Sequence, residues 1–124
     1  MGTEDPNKMP YPASIFERIA EAFISLDKNW GITYINKKAG ELINRDPLSL
    51  IGKNIWKEFS EAISVPIYTI AHKAMEDQQD VHVEEYYPPF NTWYKIDFYP
   101  SPEGSFFFFC DINRRKKQEE EIRR

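Results

Sequence analysis

Apolar and polar positions recur along this chain with two different spacings, which separate predicted helices from predicted strands. Apolar residues recur at helical spacing near the start and again in the middle of the chain. The first set is Ile15, Phe16, Ile19, Ala22 and Phe23, and the second is Ile67, Ile70, Ala71, Ala74 and Met75. Runs that favour strands cover residues 23–26, 32–35, 81–87, 92–99 and 105–110. These spacings predict an α+β fold with a five-stranded antiparallel sheet and helices on one face, able to enclose a small apolar cavity.

Local signals place the boundaries of these elements. Residues 27–31 predict a hairpin turn in which Gly31 or Asn29 supplies the positive φ. Asn36 is a cap for a short helix through residue 43, and Gly40 inside that helix predicts a close backbone approach. Further helical turns are expected at residues 48–51 and 55–59, and Pro66 suits the first turn of the longer helix. We divide the chain into a leader (1–13), a folded domain (14–112) and the start of a C-terminal helix (113–124).

Composition excludes several classes of protein. The chain has 124 residues and a formal net charge of −4. Its one dense basic run, residues 114–117, is followed at once by the acidic run 119–121, which argues against nucleic-acid binding. A single cysteine, Cys110, excludes an internal disulfide and a cysteine-based metal site. The longest apolar run is far too short to cross a membrane. We therefore expect a cytoplasmic domain without direct membrane contact.

The last strand is apolar on both of its faces. Phe107 and Phe109 point one way, and Phe106 and Phe108 point the other. One face is expected to line the cavity. The opposite face needs a cover, and either the N-terminal helix or a second subunit could supply it. This predicted dimer or N-helix surface consists of Ile15, Phe16, Ile19, Phe106 and Phe108.

The terminal helix is poorly built to stand alone. Cations at residues 114–117 occupy its first turns, and that order opposes the helix dipole. Its two interpretations are a frayed charged tail and the first turns of a parallel coiled coil that leads to an effector domain.

Catalytic chemistry is not expected of this chain. Glu84 and Glu85 are neighbours on a strand, so they point to opposite faces, and Asp97 is expected to point outward. No nucleophile–histidine–acid set, phosphate loop or metal-ligand spacing appears in the sequence. We predict neither catalytic residues nor a metal site.

Several segments, taken in order, resemble the PAS family of sensory domains. The hairpin and helix at residues 23–39, the Gly52–Trp56 segment, residues 85–89, Trp93, the turn at 99–104 and the 109–120 junction carry the resemblance. Asn113 stands where the family usually has threonine in an Asp-Ile-Thr motif. The resemblance implies a PAS fold with an N-terminal flanking helix and a C-terminal linker helix. It implies a sensor module of a signalling protein, foremost a histidine kinase, with a cyclic-dinucleotide enzyme or another regulator as the alternative parent.

The resemblance also raises the question of cofactors. Some PAS domains bind haem through a histidine on the longer helix, but His72 lies about 130° from the apolar stripe and is expected to face solvent or a neighbour. Cys110 lies on the last strand, so it cannot take the part of a flavin-attacking cysteine in the short helices. We expect neither haem nor covalent flavin. Noncovalent flavin, stacked on one of the three tryptophans, stays open.

These observations lead to one main hypothesis and two alternatives. A small ligand, a redox change or a partner alters packing between the cavity, the sheet and Asp111. The sheet then passes the change to the terminal helix of a homodimer with a linked effector. The expected junction is Asp111, Ile112 and Asn113, and the expected cavity residues are Ile35, Leu42, Trp56, Ile67, Ile70, Ala71, Ile96, Phe107 and Phe109. The alternatives are a ligand-free dimerisation spacer and a small cone-shaped α+β enzyme.

Overall fold

An antiparallel sheet with the strand order β2-β1-β5-β4-β3 organises the computed structural model, which describes residues 21–123. The strands are β1 (Ala22–Asp27), β2 (Ile32–Ile35), β3 (Val81–Tyr87), β4 (Thr92–Ser101) and β5 (Gly104–Asp111). This arrangement confirms the predicted α+β fold with five antiparallel strands. The predicted N-terminal helix, with Ile15, Phe16 and Ile19, lies outside the described residues.

Short helices follow the first hairpin, and one longer helix precedes β3. They are α1 (Lys37–Ile43), α2 (Pro47–Leu50), α3 (Ile55–Glu58) and α4 (Pro66–Asp77), with 3-10 turns at Ser60–Ser64 and Pro88–Phe90. A last helix, α5 (Asn113–Arg123), leaves the end of β5 after one residue. Within residues 21–123, no helix has the length and apolar character needed to cross a membrane.

Asn36 connects α1 to the first strand. Its Oδ1 atom accepts hydrogen bonds from the backbone N–H groups of Ala39 (2.9 Å) and Phe23 (3.0 Å). Its Nδ2 atom donates to the carbonyl oxygen of Glu21 at 3.1 Å. The side chain is fully buried, so these bonds satisfy groups that water cannot reach. The predicted helix cap thus also holds α1 against β1.

The first hairpin turn differs from the prediction at one backbone angle. Trp30, with a φ of 67°, adopts the left-handed conformation that was expected of Gly31 or Asn29. Gly31 is required for space instead, because a Cβ atom there would lie 2.6 Å from Asp27 Oδ2. Asp27 Oδ1 accepts the Gly31 N–H at 2.8 Å, which brings the carboxylate that close. The rare conformation of Trp30 places its ring 6.0 Å from that of Phe98 in the core.

Gly40 allows the close backbone approach that was predicted for it. A Cβ atom at this position would lie 2.8 Å from the Arg45 carbonyl oxygen and 2.6 Å from Pro47 Cγ. The chain can therefore turn sharply from α1 into α2.

Strand β5 lies at the centre of the sheet, between β1 and β4. Phe107 and Phe109 are buried on the helix-covered face. Phe106 and Phe108 lie on the opposite face, with ring centroids 5.4 Å and 4.8 Å from that of Phe23. Phe23 is fully buried on that face. A central strand with aromatic side chains on both faces thus joins the core to the outer surface of the sheet.

Candidate ligand cavity and helix junction

An apolar cavity of about 120 Å³ lies between the inner face of the sheet and the short helices. Its size is comparable to the roughly 150 Å³ apolar cavity that accepts a benzene molecule in another protein. The lining consists of Ile24, Ile43, Ile55, Trp56, Phe59, Ala62, Ile67, Glu85, Tyr87, Phe90, Tyr94, Ile96, Phe107 and Phe109. The cavity can therefore hold a molecule of about one ring.

The sequence-predicted cavity residues divide into two groups. Those that line the cavity are Trp56, Ile67, Ile96, Phe107 and Phe109. Those that do not are Ile35, Leu42, Ile70 and Ala71. The division follows from position, because the cavity lies at the start of α4 and beside strands β3, β4 and β5. Ile35 is on the far edge strand β2, while Ile70 and Ala71 are one turn further along α4 than Ile67.

Glu85 is a cavity residue that was not predicted from the sequence. It points inward from β3 and its side chain is buried. Its Oε2 atom has no hydrogen-bond partner among the residues that the structure describes. Burial raises the pKa of the Glu85 carboxyl, and a hydrogen bond from the backbone N–H of Ile67 opposes that shift. The alternation of Val81, Val83 and Glu85 along β3 was the signal that could have identified it.

Trp56 supplies a second buried polar atom, its Nε1, for which residues 21–123 offer no hydrogen-bond partner. The indole ring is 5.4 Å from the ring of Trp30 and 4.9 Å from that of Tyr68, centroid to centroid.

His72 completes this aromatic cluster, with its ring centroid 4.2 Å from that of Tyr68. His72 was expected at solvent or a neighbour, and it is half-buried against these rings. Its Nδ1 atom lies 2.8 Å from the Tyr68 carbonyl oxygen, so this nitrogen carries the proton of the neutral ring.

The outer face of the sheet carries a polar group around Asp97. His82 Nδ1 lies 2.6 Å from Asp97 Oδ1, and Lys95 Nζ lies 2.8 Å from Asp97 Oδ2. Asp97 points away from the cavity, as predicted, but it is buried. Burial by itself raises the pKa of the Asp97 carboxyl, and the hydrogen bonds from Lys95 and His82 outweigh it, so the pKa lies below its usual value. This group neutralises a buried charge on the face of the sheet opposite the cavity. Within the described residues, no cluster of His, Cys, Asp or Glu could hold a metal ion.

The three junction residues each make a defined contact. Asp111 Oδ1 accepts the Asn113 N–H at 2.8 Å. The N–H of Ile112, whose side chain is buried, donates to the Trp93 carbonyl oxygen at 2.9 Å. Asn113 Oδ1 accepts the Trp93 N–H at 2.8 Å. The start of α5 is thereby bound to the start of β4.

Helix α5 also contacts the outer face of the sheet through its cations. Arg115 and Lys116 both pair with Glu84 on β3, and the Lys116 Nζ–Glu84 Oε1 distance is 2.9 Å. Lys116 Nζ lies 4.5 Å from the centre of the Trp93 ring, which is a cation–π contact. Arg115 and Lys116, two of the early cations that oppose the helix dipole, therefore have partners on β3 and β4.

Adjacent residues on two strands connect the cavity with α5. On β3, Glu85 lines the cavity and Glu84 pairs with the helix. On β4, Tyr94 lines the cavity and Trp93 contacts the helix. Because neighbouring residues of a strand point to opposite faces, the same short backbone segments carry both sets of contacts.

Comparison with known proteins identifies the fold. A family model for the PAS fold matches residues 11–109. No curated protein matches the chain in sequence. Three similar solved structures are the photoactive yellow protein domain of the sensor histidine kinase Ppr from Rhodospirillum centenum, the PAS domain of histidine kinase ThkA, and the Vibrio cholera protein VqmA bound to DPO.

These similarities span most of the chain at low sequence identity. The Ppr domain is 17% identical, with a TM-score of 0.66 over 81% of this chain and 93% of that one. The ThkA domain is 25% identical, with a TM-score of 0.60 over 73% and 99%. VqmA is 22% identical, with a TM-score of 0.61 over 80% and 56%. The chain belongs to the PAS family of sensory signalling modules.

Proposed function

We propose that this PAS domain binds a small molecule in its cavity and relays the occupancy of that cavity through α5 to an effector, in a sensor histidine kinase. The observation that carries the proposal is the adjacency of Glu84 and Glu85 on β3. Glu85 lines the cavity, and Glu84 pairs with Arg115 and Lys116 of α5. A shift of this strand changes both environments at once.

The relay follows from the physical connections along β3 and β4. A ligand that displaces Glu85 or Tyr94 moves the backbone on which Glu84 and Trp93 lie. Exposed ion pairs contribute little stability, so a small displacement can change the position or order of α5. Asp111, Ile112 and Asn113 transmit that change to the start of the helix. The signal junction expected from the sequence is thus part of this proposal.

The choice of parent and partners rests on the neighbours and on the outer face of the sheet. Two of the neighbouring structures are domains of histidine kinases, and a third, VqmA, was solved with DPO bound. Phe106 and Phe108 form an aromatic surface with Phe23 on the face away from the cavity. The proposal includes a homodimer through this surface and a cytoplasmic location for the domain.

The test measures hydrogen exchange of the α5 amides with the cavity empty and filled. Phenol serves as a ring-sized probe, and binding is followed by NMR titration of the ¹⁵N-labelled protein. We expect phenol to change exchange at residues 113–116 in the wild type. Glu84→Gln removes the carboxylate that pairs with α5. It is therefore expected to abolish this response, while phenol still binds in the cavity. Glu103→Gln, in the exposed turn between β4 and β5, is the matched control and should respond like the wild type.

Two results would count against the proposal. If phenol binds without any change in the hydrogen exchange of the α5 amides, the proposed relay is contradicted. Absence of any binding would favour the ligand-free dimerisation spacer, because a spacer needs no accessible cavity.

A further inference from the structure

In the described part of the chain, two buried polar atoms without hydrogen-bond partners belong to residues that line the cavity, Glu85 Oε2 and Trp56 Nε1. Buried polar groups are almost always hydrogen-bonded, since an unpaired group loses the bonds that it made to water. The remaining lining side chains are hydrocarbon or aromatic, and two of them, Tyr87 and Tyr94, carry a hydroxyl group. Glu85 Oε2 and Trp56 Nε1 are thus unsatisfied polar atoms at which a bound molecule could be recognised.

We propose that the cavity binds an uncharged, ring-sized molecule that is apolar over most of its surface and carries an N–H or O–H donor for Glu85 and an acceptor for Trp56. This inference rests on the proposed function, because it names the chemical class of ligand for the same cavity. Glu85 Oε2 can accept a hydrogen bond, and the indole N–H of Trp56 can only donate one. A molecule with both a donor and an acceptor satisfies both atoms.

The size of the cavity limits the enclosed part of a ligand to about one ring. A volume of about 120 Å³ cannot enclose a flavin or a haem. Aromatic rings on several sides, including Tyr87, Tyr94 and Phe107, favour a flat partner. A monocyclic aromatic or heteroaromatic compound fits these limits.

The surroundings of Glu85 favour a neutral ligand over a cation. The carboxyl lies among Tyr87, Tyr94 and Ile67, and the backbone N–H of Ile67 is already its partner at the start of α4. A cation would lose its hydration in an apolar cavity, and it would gain only an ion pair with a carboxyl group that already accepts a hydrogen bond. A neutral donor loses far less on leaving water, so it gains more from the same hydrogen bond.

The experiment compares two ring-sized probes in matched variants. Phenol carries a hydroxyl group, toluene has nearly the same shape without one, and both dissociation constants are measured by NMR titration. Glu85→Leu removes the acceptor at similar volume, and Glu85→Met serves if the leucine variant fails to fold. The ratio of phenol affinity to toluene affinity is expected to fall by about 10-fold or more, because a hydrogen bond to a carboxylate is lost. Comparing ratios cancels the difference in hydration between the two probes.

The control is Glu84→Gln, which changes the neighbouring carboxylate on the opposite face and should leave the ratio unchanged. An equal phenol-to-toluene affinity ratio in the wild type and Glu85→Leu would overturn the inference, as would binding of neither probe.

Benzylamine, which is cationic at neutral pH, tests the charge of the ligand. It should bind more weakly than phenol, and tighter binding would overturn the assignment of an uncharged ligand. If the phenol-to-toluene affinity ratio falls in Glu85→Leu but phenol leaves the exchange of the α5 amides in the wild type unchanged, the ligand class is supported and the relay is contradicted. If the ratio stays the same but phenol does change the exchange of the α5 amides, the relay is supported and the ligand class is contradicted.

Discussion

The backbone N–H of Trp93 donates a 2.8 Å hydrogen bond to Asn113 Oδ1, which lies 20 residues further along the chain. This bond joins the first turn of α5 to the start of β4. Asn113 stands where the resembled motif has threonine, and its side chain reaches the start of β4. The connection between the sheet and α5 therefore depends on a single side chain as well as on backbone contacts.

Asn113→Ala tests that connection. We expect the free energy of unfolding to fall by about 0.5–1.5 kcal/mol, the usual loss for one hydrogen bond. Amide exchange should accelerate at Trp93 and over residues 113–116, while the central strand β5 keeps its protection. Gln118→Ala, an exposed position on the same helix, is the control and should leave these amides unchanged. Equal protection in both variants would show that the side chain does not hold the helix.

Asp111→Ala is expected to uncouple input from output with little loss of fold. Asp111 Oδ1 accepts the first N–H of α5, so its removal leaves the helix start without this cap. Thermal unfolding should change little, because the side chain is exposed. The measurement is signalling by the full-length protein with and without its ligand. Normal ligand-dependent signalling in this variant would contradict the assignment of the junction.

Glu85→Gln is expected to stabilise the protein at neutral pH. Because burial raises the pKa of Glu85, the wild type is most stable below the unfolded pKa of about 4.3 and loses stability as pH rises through the folded value. The amide side chain has no charge to bury, so the free energy of unfolding at pH 7 should rise by about 1–3 kcal/mol. The gain should disappear in acid. Urea titrations from pH 4 to pH 8 measure it, and an equal gain at every pH would contradict the titration of Glu85.

Asp97→Asn is expected to have the opposite pH dependence. Because the pKa of Asp97 is lowered in the folded state, its contribution is present above the unfolded pKa of about 3.9 and is lost as pH falls through the folded value. The variant should therefore be less stable than the wild type at pH 7, and the difference should shrink in acid. Urea titrations from pH 4 to pH 8 measure the free energy of unfolding. Asp80 is exposed, so the control variant Asp80→Asn should have the same free energy of unfolding as the wild type at each pH.

Gly40→Ala is expected to destabilise the domain although alanine favours helices. The new Cβ atom would lie 2.8 Å from the Arg45 carbonyl oxygen, and backbone cannot move aside as a flexible side chain can. Overpacking of this kind costs about 1–3 kcal/mol, which exceeds the gain in helix propensity of about 1 kcal/mol. Glu41→Ala, exposed on the same helix, should be nearly neutral. A more stable Gly40→Ala variant in chemical denaturation would refute the steric explanation.

Features with a local cause were predictable from the sequence. Asn36 precedes a short amphipathic segment, Pro66 suits a first helical turn, and alternation placed Phe107 and Phe109 opposite Phe106 and Phe108. Each depends on hydrogen bonds or side-chain directions within a few residues, so the residue types were sufficient. The resemblance in motif order then indicated the family before any geometry was known.

Features with a nonlocal cause were not predictable. The positive φ at Trp30 depends on the packing of its ring against Phe98, and glycine or asparagine was the better local choice. The cavity lies at the start of α4, so Ile70 and Ala71 fall outside its lining, although they share an apolar stripe with Ile67. A helical stripe shows which face is buried, but it does not show where along the helix a gap in the packing remains.

By itself, the sequence determined the five strands and the longer helix, that both faces of β5 are apolar, and that a charged helix follows Asp111. The tertiary structure decided that Glu85 enters an apolar cavity, that Trp56 Nε1 finds no partner among the described residues, and that Arg115 and Lys116 contact Glu84 and Trp93. The physical reason is the distance along the chain over which each interaction acts. Propensity, capping and alternation act between near neighbours in the chain, whereas burial and charge pairing depend on strands and helices that only the folded sheet brings together.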